Sequence, residues 1–379
     1  MTDTSVAVQN TVKVFVHPGA LHTEEDFSRI KDALAKGLDP IKSGFTELTD
    51  SRFADSNYKP TAQAYIIRGN PSWGKDNYQY LFRDAAAAYA LALRWKITGD
   101  ESYATASAGV LDDWSSKLGG IGGTSDKFLA SGLYGYQLAN AGEIIRGYES
   151  WIGLKALQDM LLKVFYPMNH DFLTNHNGYG ASGGHYWANW DLAQLCSVIS
   201  IAVLCNRQDL FEEAVNYVKT GQGMGAFKNA VVHVYPEGLG QIQESGRDQG
   251  HAGLDIALMG IIAQVAFNQG EDLFAFEDNI LLKGAEYVAK YNLGFDVPWT
   301  DYTNADGWTM TAISSTGRPN IRPAWELLYN HYSKIKGINA PYCEQFAAKV
   351  RPEGGGGKYG GNSGGFDQLG YGTLMFTIP

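Results

Sequence analysis

The stretch QESGRDQGH, which ends at His251, combines ionisable and hydrogen-bonding side chains with no large apolar residue. Arg247 and His251 are four residues apart, the spacing of neighbours on a helix face. Asp248, His251 and Asp255 lie on one face if a helix begins here. A guanidinium beside an imidazole can neutralise an acidic substrate and move a proton. The alternative is a structural ion pair of Arg247 with Glu244 or Asp248, in which Glu244 holds the arginine in place.

Two other segments have the same polar, glycine- and asparagine-rich character. Residues 174–191 read TNHNGYGASGGHYWANWD, and residues 299–322 read WTDYTNADGWTMTAISSTGRPNIR. In the first, His185 and Asn189 are four apart, which predicts one helix face near a helix N-terminus. The alternative is that His185 only caps the helix. Because loops on a rigid scaffold usually carry binding groups, the three polar segments are predicted to form one site.

Arginine, asparagine, histidine and tyrosine without an obvious carboxylate pair suit β-elimination from a uronic acid. A cation or amide that binds the uronate carboxylate stabilises the enolate-like intermediate. A histidine or tyrosine then removes the C5 proton, and another protonates the leaving O4, so that no cofactor is needed. Hydrolysis would instead need two facing carboxylates, which Glu244, Asp248 and Asp191 could supply. A non-catalytic sugar-binding protein is the other alternative.

Two further motifs favour other chemistries only weakly. GASGG, centred on Ser182, fits a serine nucleophile elbow, but that motif needs a preceding strand, and a loop precedes it here. His176, His185 and His251 could bind a metal with Asp191, yet no H-x-x-x-H pair or cysteine ligand supports this. We therefore expect neither a serine hydrolase nor a metal centre.

The composition indicates a large globular core and an acidic surface. Of 379 residues, 45% are hydrophobic and only 18% are charged, so disorder is not expected. The net charge of −10 argues against general nucleic-acid binding, which needs a basic face. Nine tryptophans and 22 tyrosines favour a sugar ligand, because the apolar faces of sugar rings stack on aromatic rings.

The elements that must position these residues are mostly helices. Thr23 and Asp26 form a capping-box pattern at the first helix, which is one of about eleven segments with helical periodicity. Only KVFVH and AVVHVY alternate like strands. We therefore predict an all-α, single-domain (α/α) toroid over residues 1–379, an incomplete barrel of six or seven helix pairs, with an open bundle or solenoid as the alternative. Residues 1–12 are predicted to be a flexible segment, and the glycine-rich tail is predicted to be a loop.

The sequence shows no feature of a membrane protein or of a signal peptide. No stretch reaches 18 consecutive apolar residues, and the first ten residues lack a basic and an apolar region. No membrane or nucleic-acid partner is expected, and the oligomeric state is left open.

Six motifs in order resemble the alginate lyase superfamily, and within it polysaccharide lyase family 38. They are FVHPGALHT, YQLANAGEIIR, HYWANWDL, QESGRDQGH, EYVAKYNLG and RPAWELLYNHY, which span the chain from about Val14 to its C-terminus. The resemblance implies an (α/α) toroid and a lyase that cleaves alginate or glucuronan, with mannuronate-type linkages favoured. It also implies a secreted or periplasmic enzyme with an anionic polysaccharide as its partner.

The resemblance also implies roles for particular residues. Related lyases carry an Asn-His pair before an aromatic-rich helix, then an arginine followed by a tyrosine. His185 and Arg247 match two of these, but Gly184 stands where the asparagine is expected and His251 where the tyrosine is expected. The predicted catalytic residues are His185, Asn189, Arg247, His251, Tyr186 and Tyr179. The predicted substrate-binding residues are Tyr134, Gln137, Asn140, Asn175, His176, Trp187, Trp190, Glu244, Gln249, Tyr302 and Arg322.

Some of these assignments have a structural alternative. Asn189, or Asn175 and Asn177, could replace the missing asparagine as carboxylate ligand. His185 or His251 could be the base, and the acid could be any of four tyrosines, Tyr134, Tyr179, Tyr186 and Tyr302. Gln137 and Asn140 could equally be buried amides within a helix layer. Arg322 has Glu326 four residues later, a spacing that is typical of a structural pair.

Overall fold

A computed structural model describes residues 13–379, so the prediction of a flexible segment at residues 1–12 lies outside the described residues. Helices dominate the described chain. The α-helices are α1 Glu24–Ala35, α2 Ile41–Thr49, α3 Gln79–Thr98, α4 Glu101–Lys117, α5 Lys127–Ile145, α6 Leu154–Met160, α7 Tyr166–Asn175, α8 Ala188–Cys205, α9 Gln208–Thr220, α10 Phe227–Ala230, α11 Gln249–Asn268, α12 Phe276–Asn292, α13 Trp325–Tyr329, α14 Pro341–Val350 and α15 Gly372–Met375.

The helices pack as a ring with a second layer outside it. Helices α3, α5, α8, α11, α13, α15 and α1 each contact the next member of the series, and α1 returns to α3. Helices α4, α7, α9 and α12 pack against members of this inner ring. The predicted all-α toroid is confirmed.

The inner helices are apolar on nearly all sides because neighbours cover them on every side. Helices α8 and α11 are long and apolar enough to cross a membrane, but 89% and 83% of their apolar windows are buried in the protein. Helices α5 and α8 pack closely, since a side chain at Gly135 would come within 2.2 Å of the Ser197 hydroxyl oxygen. Glycine therefore lets these two helices approach.

Three two-stranded sheets complete the fold. β1 Tyr65–Arg68 pairs in parallel with β2 Gly120–Gly123. β3 Val231–Val234 pairs antiparallel with β4 Gly240–Ile242, and β5 Tyr302–Thr303 with β6 Thr309–Met310. The strand predicted from AVVHVY is confirmed as β3, whereas KVFVH is not a strand, so that prediction was wrong.

The local helix signals were accurate where capping or periodicity was strong. Thr23 accepts from the Asp26 backbone, and the Asp26 carboxylate accepts from the Thr23 backbone, so the predicted capping box is present. The segments with helical periodicity did not include residues 41–49 or 127–134, so helix α2 and the first eight residues of α5 were not predicted. The glycine-rich tail is mostly loop, with one short 3-10 turn at Ser363–Phe366 and the short helix α15.

Hydrogen bonds link the N-terminal ends of several inner helices. The first backbone N–H of α8, from Ala188, donates to Gln243 Oε1 just before α11 at 2.8 Å. Arg322, just before α13, donates from Nε to the Gly250 carbonyl at 3.0 Å. The N-terminal ends of α8, α11 and α13 therefore meet on one side of the ring, where their dipoles favour an anionic ligand.

Candidate active site

The three polar segments converge at this meeting point. The Ser314 N–H donates to the Ser245 carbonyl at 3.0 Å, and the Gln249 N–H donates to the Thr316 carbonyl at 2.9 Å. The Gln243 amide donates to the Tyr302 hydroxyl at 2.9 Å. The structure thus brings together the polar segments that were predicted from the sequence to form one site.

Glu244 is the centre of the hydrogen-bond network. It is fully buried in a short 3-10 turn, Gln243–Gly246, directly before α11. Its Oε1 accepts from Asn189 Nδ2 at 2.6 Å and from the Asn189 backbone N–H at 3.1 Å. Its Oε2 accepts from Arg247 Nη1 at 2.7 Å. The predicted Glu244–Arg247 pair is present, and it orients the arginine.

Arg247 presents the rest of its guanidinium outward. The side chain is 28% exposed, and its Nε lies 3.8 Å from Asp248 Oδ2, too far for a hydrogen bond. The guanidinium carbon stands 5.4 Å from the ring centre of Trp187, which in turn contacts Trp308 edge-on at 5.4 Å. An anchored cation with unused N–H groups beside two tryptophans is suited to an acidic sugar.

Asn189 occupies a different position from the predicted one. It is 2% exposed, and its backbone and side-chain N–H groups both bond Glu244. It therefore supports Glu244 from the interior and does not present its amide to the cleft. The sequence could not distinguish these positions, since both place asparagine in the first turn of α8.

Asp248 and His251 form a dyad at the start of α11. Asp248 is the N-cap residue and accepts the His251 backbone N–H at 2.8 Å. Its other oxygen contacts His251 Nδ1 at 2.6 Å. Although burial opposes it, the bonds from His251 lower the pKa of Asp248. An ionised Asp248 fixes the imidazole by Nδ1, and Nε2 makes no hydrogen bond with any of residues 13–379.

His185 is not on the helix that the spacing predicted. Helix α8 begins at Ala188, so His185 lies in the preceding loop. Its Nδ1 lies 2.9 Å from Asp306 Oδ2, and its ring stacks on Tyr179 with centres 3.7 Å apart. Tyr179 is 56% exposed. Both rings therefore lie at the rim, where they join the loop before α8 to the β5–β6 hairpin.

Tyr186 and Trp190 pack inside this loop. Tyr186 is 7% exposed and lies against Phe172 and Trp190, while its hydroxyl accepts from Asn177 Nδ2 at 3.0 Å. Asn175 is exposed at the last position of α7. Tyr186 is thus buried in the interior of this loop and Trp190 is partly exposed beside it, and their predicted catalytic and binding contacts stay predictions.

His176 is also a structural residue in this arrangement, contrary to the prediction of substrate binding. It is fully buried; Nε2 lies 3.1 Å from Asp191 Oδ1 and Nδ1 lies 2.8 Å from the Gly180 carbonyl. Asp191 also accepts from the Tyr217 hydroxyl at 2.7 Å. Burial opposes protonation of His176, but Asp191 and the Gly180 carbonyl raise its pKa. This cluster anchors the loop that carries His185.

The α5 residues are buried as well. Gln137 Nε2 donates to the Phe366 carbonyl at 2.7 Å, and Asn140 Nδ2 donates to the Tyr136 carbonyl at 2.8 Å. Tyr134 is fully buried and accepts from Arg68 Nη1 at 3.2 Å. The alternative of buried structural amides is thus the one that the structure shows, and none of the three lines an open cleft.

Tyr302 and Gln249 differ in whether their polar groups are free to bind a ligand. Tyr302 is partly buried, and its hydroxyl accepts from Gln243, which leaves its own proton free. Burial raises the pKa of Tyr302. Gln249 is 1% exposed, with Nε2 on the Ser314 carbonyl at 2.9 Å and Oε1 on Asn292 Nδ2 at 2.9 Å. Gln249 is therefore a loop brace, not the predicted substrate ligand.

Arg322 does not pair with Glu326 as its spacing suggested. Nη1 donates to Gln368 Oε1 at 3.0 Å and to Asp367 Oδ2 at 3.4 Å. Glu326 instead binds Arg351. Burial raises the pKa of Asp367, with the positive charges of Arg322 and other groups opposing it. Arg322 thus joins the C-terminal tail to the start of α11 and remains partly exposed.

The carboxylates that hydrolysis would require are already engaged. Glu244 bonds Asn189 and Arg247, Asp248 bonds His251, and Asp191 is buried with His176. The last element before Ser182 is a short 3-10 turn, His176–Gly178, and not the strand that a nucleophile elbow would need. Within residues 13–379 no group of three His, Cys, Asp or Glu side chains converges in a way that could hold a metal.

Several residues of this region were not predicted from the sequence. Gln243 orients Tyr302, Asp306 binds His185, and Trp308 contacts Trp187. Trp308 and Asp306 lie in the polar segment 299–322. The sequence therefore predicted that this segment belongs to the site, but not which contacts these two residues make. Arg68 contacts Tyr134 and the face of Tyr78 at 4.9 Å, and no motif in the sequence marked it.

Comparisons with known proteins agree with this architecture. Residues 46–297, well over half of the chain, match the sequence model of the alginate lyase family. No curated protein matches the chain by sequence. Alginate lyase A1-III from Sphingomonas species A1 is similar in structure, with TM-score 0.64, 15% identity and 98% of each chain covered.

Two other solved structures are also similar. One is an A1-III variant with a histidine replaced by alanine, complexed with a tetrasaccharide, with TM-score 0.62, 15% identity and 98% of each chain covered. The other is an alginate lyase from Bacteroides ovatus, with TM-score 0.57 and 14% identity, for which 89% of this chain and 96% of that chain are covered. At these identities the likeness concerns the fold.

Proposed function

The chain belongs to the alginate lyase family, and from that premise we propose how its residues cleave the polymer and which linkage they prefer. It is a polysaccharide lyase that acts on alginate, an anionic polysaccharide. Arg247 is the observation that carries the proposal: a partly exposed guanidinium held by a buried carboxylate, four residues before a partly exposed imidazole. We assign Arg247 to the uronate carboxylate.

In the proposed reaction, His251 Nε2 removes the C5 proton. The electron pair of the C5–H bond forms the C4=C5 double bond, and the C4–O4 bond breaks. Arg247 stabilises the negative charge that builds up on the carboxylate as C5 loses its proton. Asp248 holds the imidazole by Nδ1 and favours the imidazolium that forms.

Tyr302 is the proposed acid. Its hydroxyl accepts a hydrogen bond from Gln243, so its own proton can be given to the departing O4. Tyr179 is exposed at the rim, while Tyr134 and Tyr186 are buried with their hydroxyls bonded to neighbours. Tyr302 is therefore the candidate whose position and free proton suit the role best.

The preferred linkage is proposed to be of the mannuronate type, with glucuronan as a second substrate. Mannuronate and glucuronate have the same configuration at C4 and C5 and differ at C2, so one base can serve both. Guluronate is inverted at C5, which would require a base on the opposite face of the ring. The single imidazole beside Arg247 would serve only one C5 configuration, and the family resemblance favours the mannuronate type.

The test is ultraviolet absorbance during incubation with polymannuronate, polyguluronate and glucuronan in parallel. Elimination leaves a double bond conjugated to the carboxylate, which absorbs, whereas hydrolysis does not. We expect the fastest rise with polymannuronate, a slower rise with glucuronan and little with polyguluronate. A fastest rise with polyguluronate would overturn the linkage preference. New reducing ends without absorbance would overturn the elimination.

A further inference from the structure

Arg68 is a partly buried cation that the proposed reaction does not use. It is the last residue of β1, and Ile66, two residues before it, is fully buried. Because alternate residues of a strand face the same side, Arg68 points toward the interior of the protein. Its guanidinium carbon lies 4.9 Å from the ring centre of Tyr78.

The Arg68 guanidinium keeps most of its binding capacity. Arginine has five N–H donors, and within residues 13–379 Arg68 uses one nitrogen, Nη1, which donates to the Tyr134 hydroxyl at 3.2 Å. None of its nitrogens is buried without a partner, so the other N–H groups reach solvent. Arg247 has Glu244 as its counter-charge, whereas no carboxylate of the described residues forms an ion pair with Arg68. A guanidinium of this kind is suited to a carboxylate ligand.

Contacts place Arg68 on the same side of the ring as the candidate site. Tyr78, on which it lies, directly precedes α3, and the ring centre of Phe82 in the first turn of α3 is 4.5 Å from that of Phe366. The next residue, Asp367, accepts from Arg322, which is bonded to the start of α11. The N-terminal end of α3 and the N-terminal end of α11 therefore face the same opening of the ring.

Arg68 and Arg247 lie on opposite walls of this opening. In the inner series α3, α5, α8, α11, α13, α15 and α1, helices α3 and α11 are three places apart, the largest separation in a ring of seven. Successive residues of an extended 1,4-linked polyuronate turn their carboxylates to opposite sides of the chain. Cations on two opposite walls match this alternation.

We propose that Arg68 binds the carboxylate of the uronate next to the one that is cleaved, so that the enzyme selects two adjacent uronates. This inference rests on the proposed assignment of Arg247 to the reacting uronate. The charge on the neighbouring carboxylate is the same in the substrate and in the transition state. Arg68 therefore strengthens binding equally in both states and acts on KM, whereas Arg247 acts on kcat.

The substitution Arg68→Met removes the charge and keeps an apolar stem over Tyr78. Loss of a charged hydrogen bond at a partly exposed site should raise KM for polymannuronate about tenfold, with kcat within about threefold of wild type. Arg52→Met is the matched control, because Arg52 is an exposed arginine 4.8 Å from the ring centre of Phe53, and it should keep the wild-type KM. An unchanged KM in folded Arg68→Met would overturn the inference, as would a fall in kcat alone.

Binding can be measured without turnover in the His251→Gln background. Calorimetry with a mannuronate tetrasaccharide should give a Kd about tenfold weaker when Arg68→Met is added to this variant. Equal affinities of the single and double variants, both shown to be folded by thermal unfolding, would contradict a role of Arg68 in binding.

A third measurement uses the wild-type enzyme and no variant. In polymannuronate that has been partly reduced at its carboxyl groups, some uronates become mannose. Mass spectrometry of the products should show cleavage at least tenfold more often where the neighbour on one side is a uronate than where it is mannose. Equal frequencies would refute the inference. A wild-type enzyme that forms no unsaturated product from intact polymannuronate, polyguluronate or glucuronan would instead refute the proposed function, so the two failures are distinguishable.

Discussion

The substitution Arg247→Ala should remove most of the activity while leaving the fold intact. In the proposed reaction the guanidinium stabilises charge that grows on the carboxylate in the transition state. Removing one such donor costs about 2.7–4 kcal/mol, or about 10²–10³ in kcat. KM should rise as well, because the carboxylate is also bound in the ground state.

The effect on stability should be much smaller. Without Arg247, the buried Glu244 loses one charged hydrogen bond, worth about 1.5–3 kcal/mol, but keeps two N–H bonds from Asn189. The Arg247 side chain is 28% exposed, so water can replace part of the lost interaction. We therefore expect a loss of stability near the lower end of this range. A domain that is stable by about 5–15 kcal/mol remains folded.

The assay is the ultraviolet rate on polymannuronate, with kcat and KM determined separately, together with thermal unfolding. Arg207→Ala is the matched control, because Arg207 forms an exposed pair with Asp209 on the outer layer. We expect the control to keep wild-type kinetics. Arg247→Lys should be intermediate, since it retains the charge but not the planar fork. If folded Arg247→Ala kept kcat within threefold of wild type, the assignment would be wrong.

Two further predictions concern protons. His251→Gln should lower kcat by about 10²–10⁴, as expected for loss of a general base, whereas His185→Gln should lower kcat less than tenfold. If His185→Gln lowered kcat more than His251→Gln, the base would be His185 at the rim of the site. Burial, aided by the charge of Glu326, raises the pKa of Glu353 from its ordinary value of 4.5 to about 8. The folded state therefore holds a proton that the unfolded state has lost across this range, and stability should fall as pH rises from about 4.5 to 8. Thermal unfolding of Glu353→Gln should show a flatter pH dependence than wild type, and the exposed control Glu237→Gln should not; equal slopes in all three would contradict the buried proton.

Short-range features of the site could be predicted because their partners lie within a few residues. The Glu244–Arg247 pair is three residues apart, and Asp248 caps the helix that carries His251. Such contacts depend on helix geometry, which periodicity and capping residues specify. The same reasoning placed His185 one turn too far into a helix, because the loop before α8 continues to Trp187.

Burial could not be predicted from residue type. Gln137, Asn140 and His176 have the chemistry of binding residues, yet all three are buried and donate or accept hydrogen bonds within the protein. Whether an amide faces the cleft or the next helix depends on the rotation of the helix in the ring. That rotation is set by packing against partners far away in sequence, such as α5 against α8.

The sequence by itself determined the all-α class, most of the helices, and the Arg247 and His251 segment, since all of these follow from local periodicity and spacing. Only the tertiary structure decided which residues surround that segment. Tyr302 meets Gln243 across 59 residues, and Asp306 meets His185 across 121. Contacts of this range form when the ring closes, because closure brings the N-terminal ends of the inner helices and the long loops to one side of the protein.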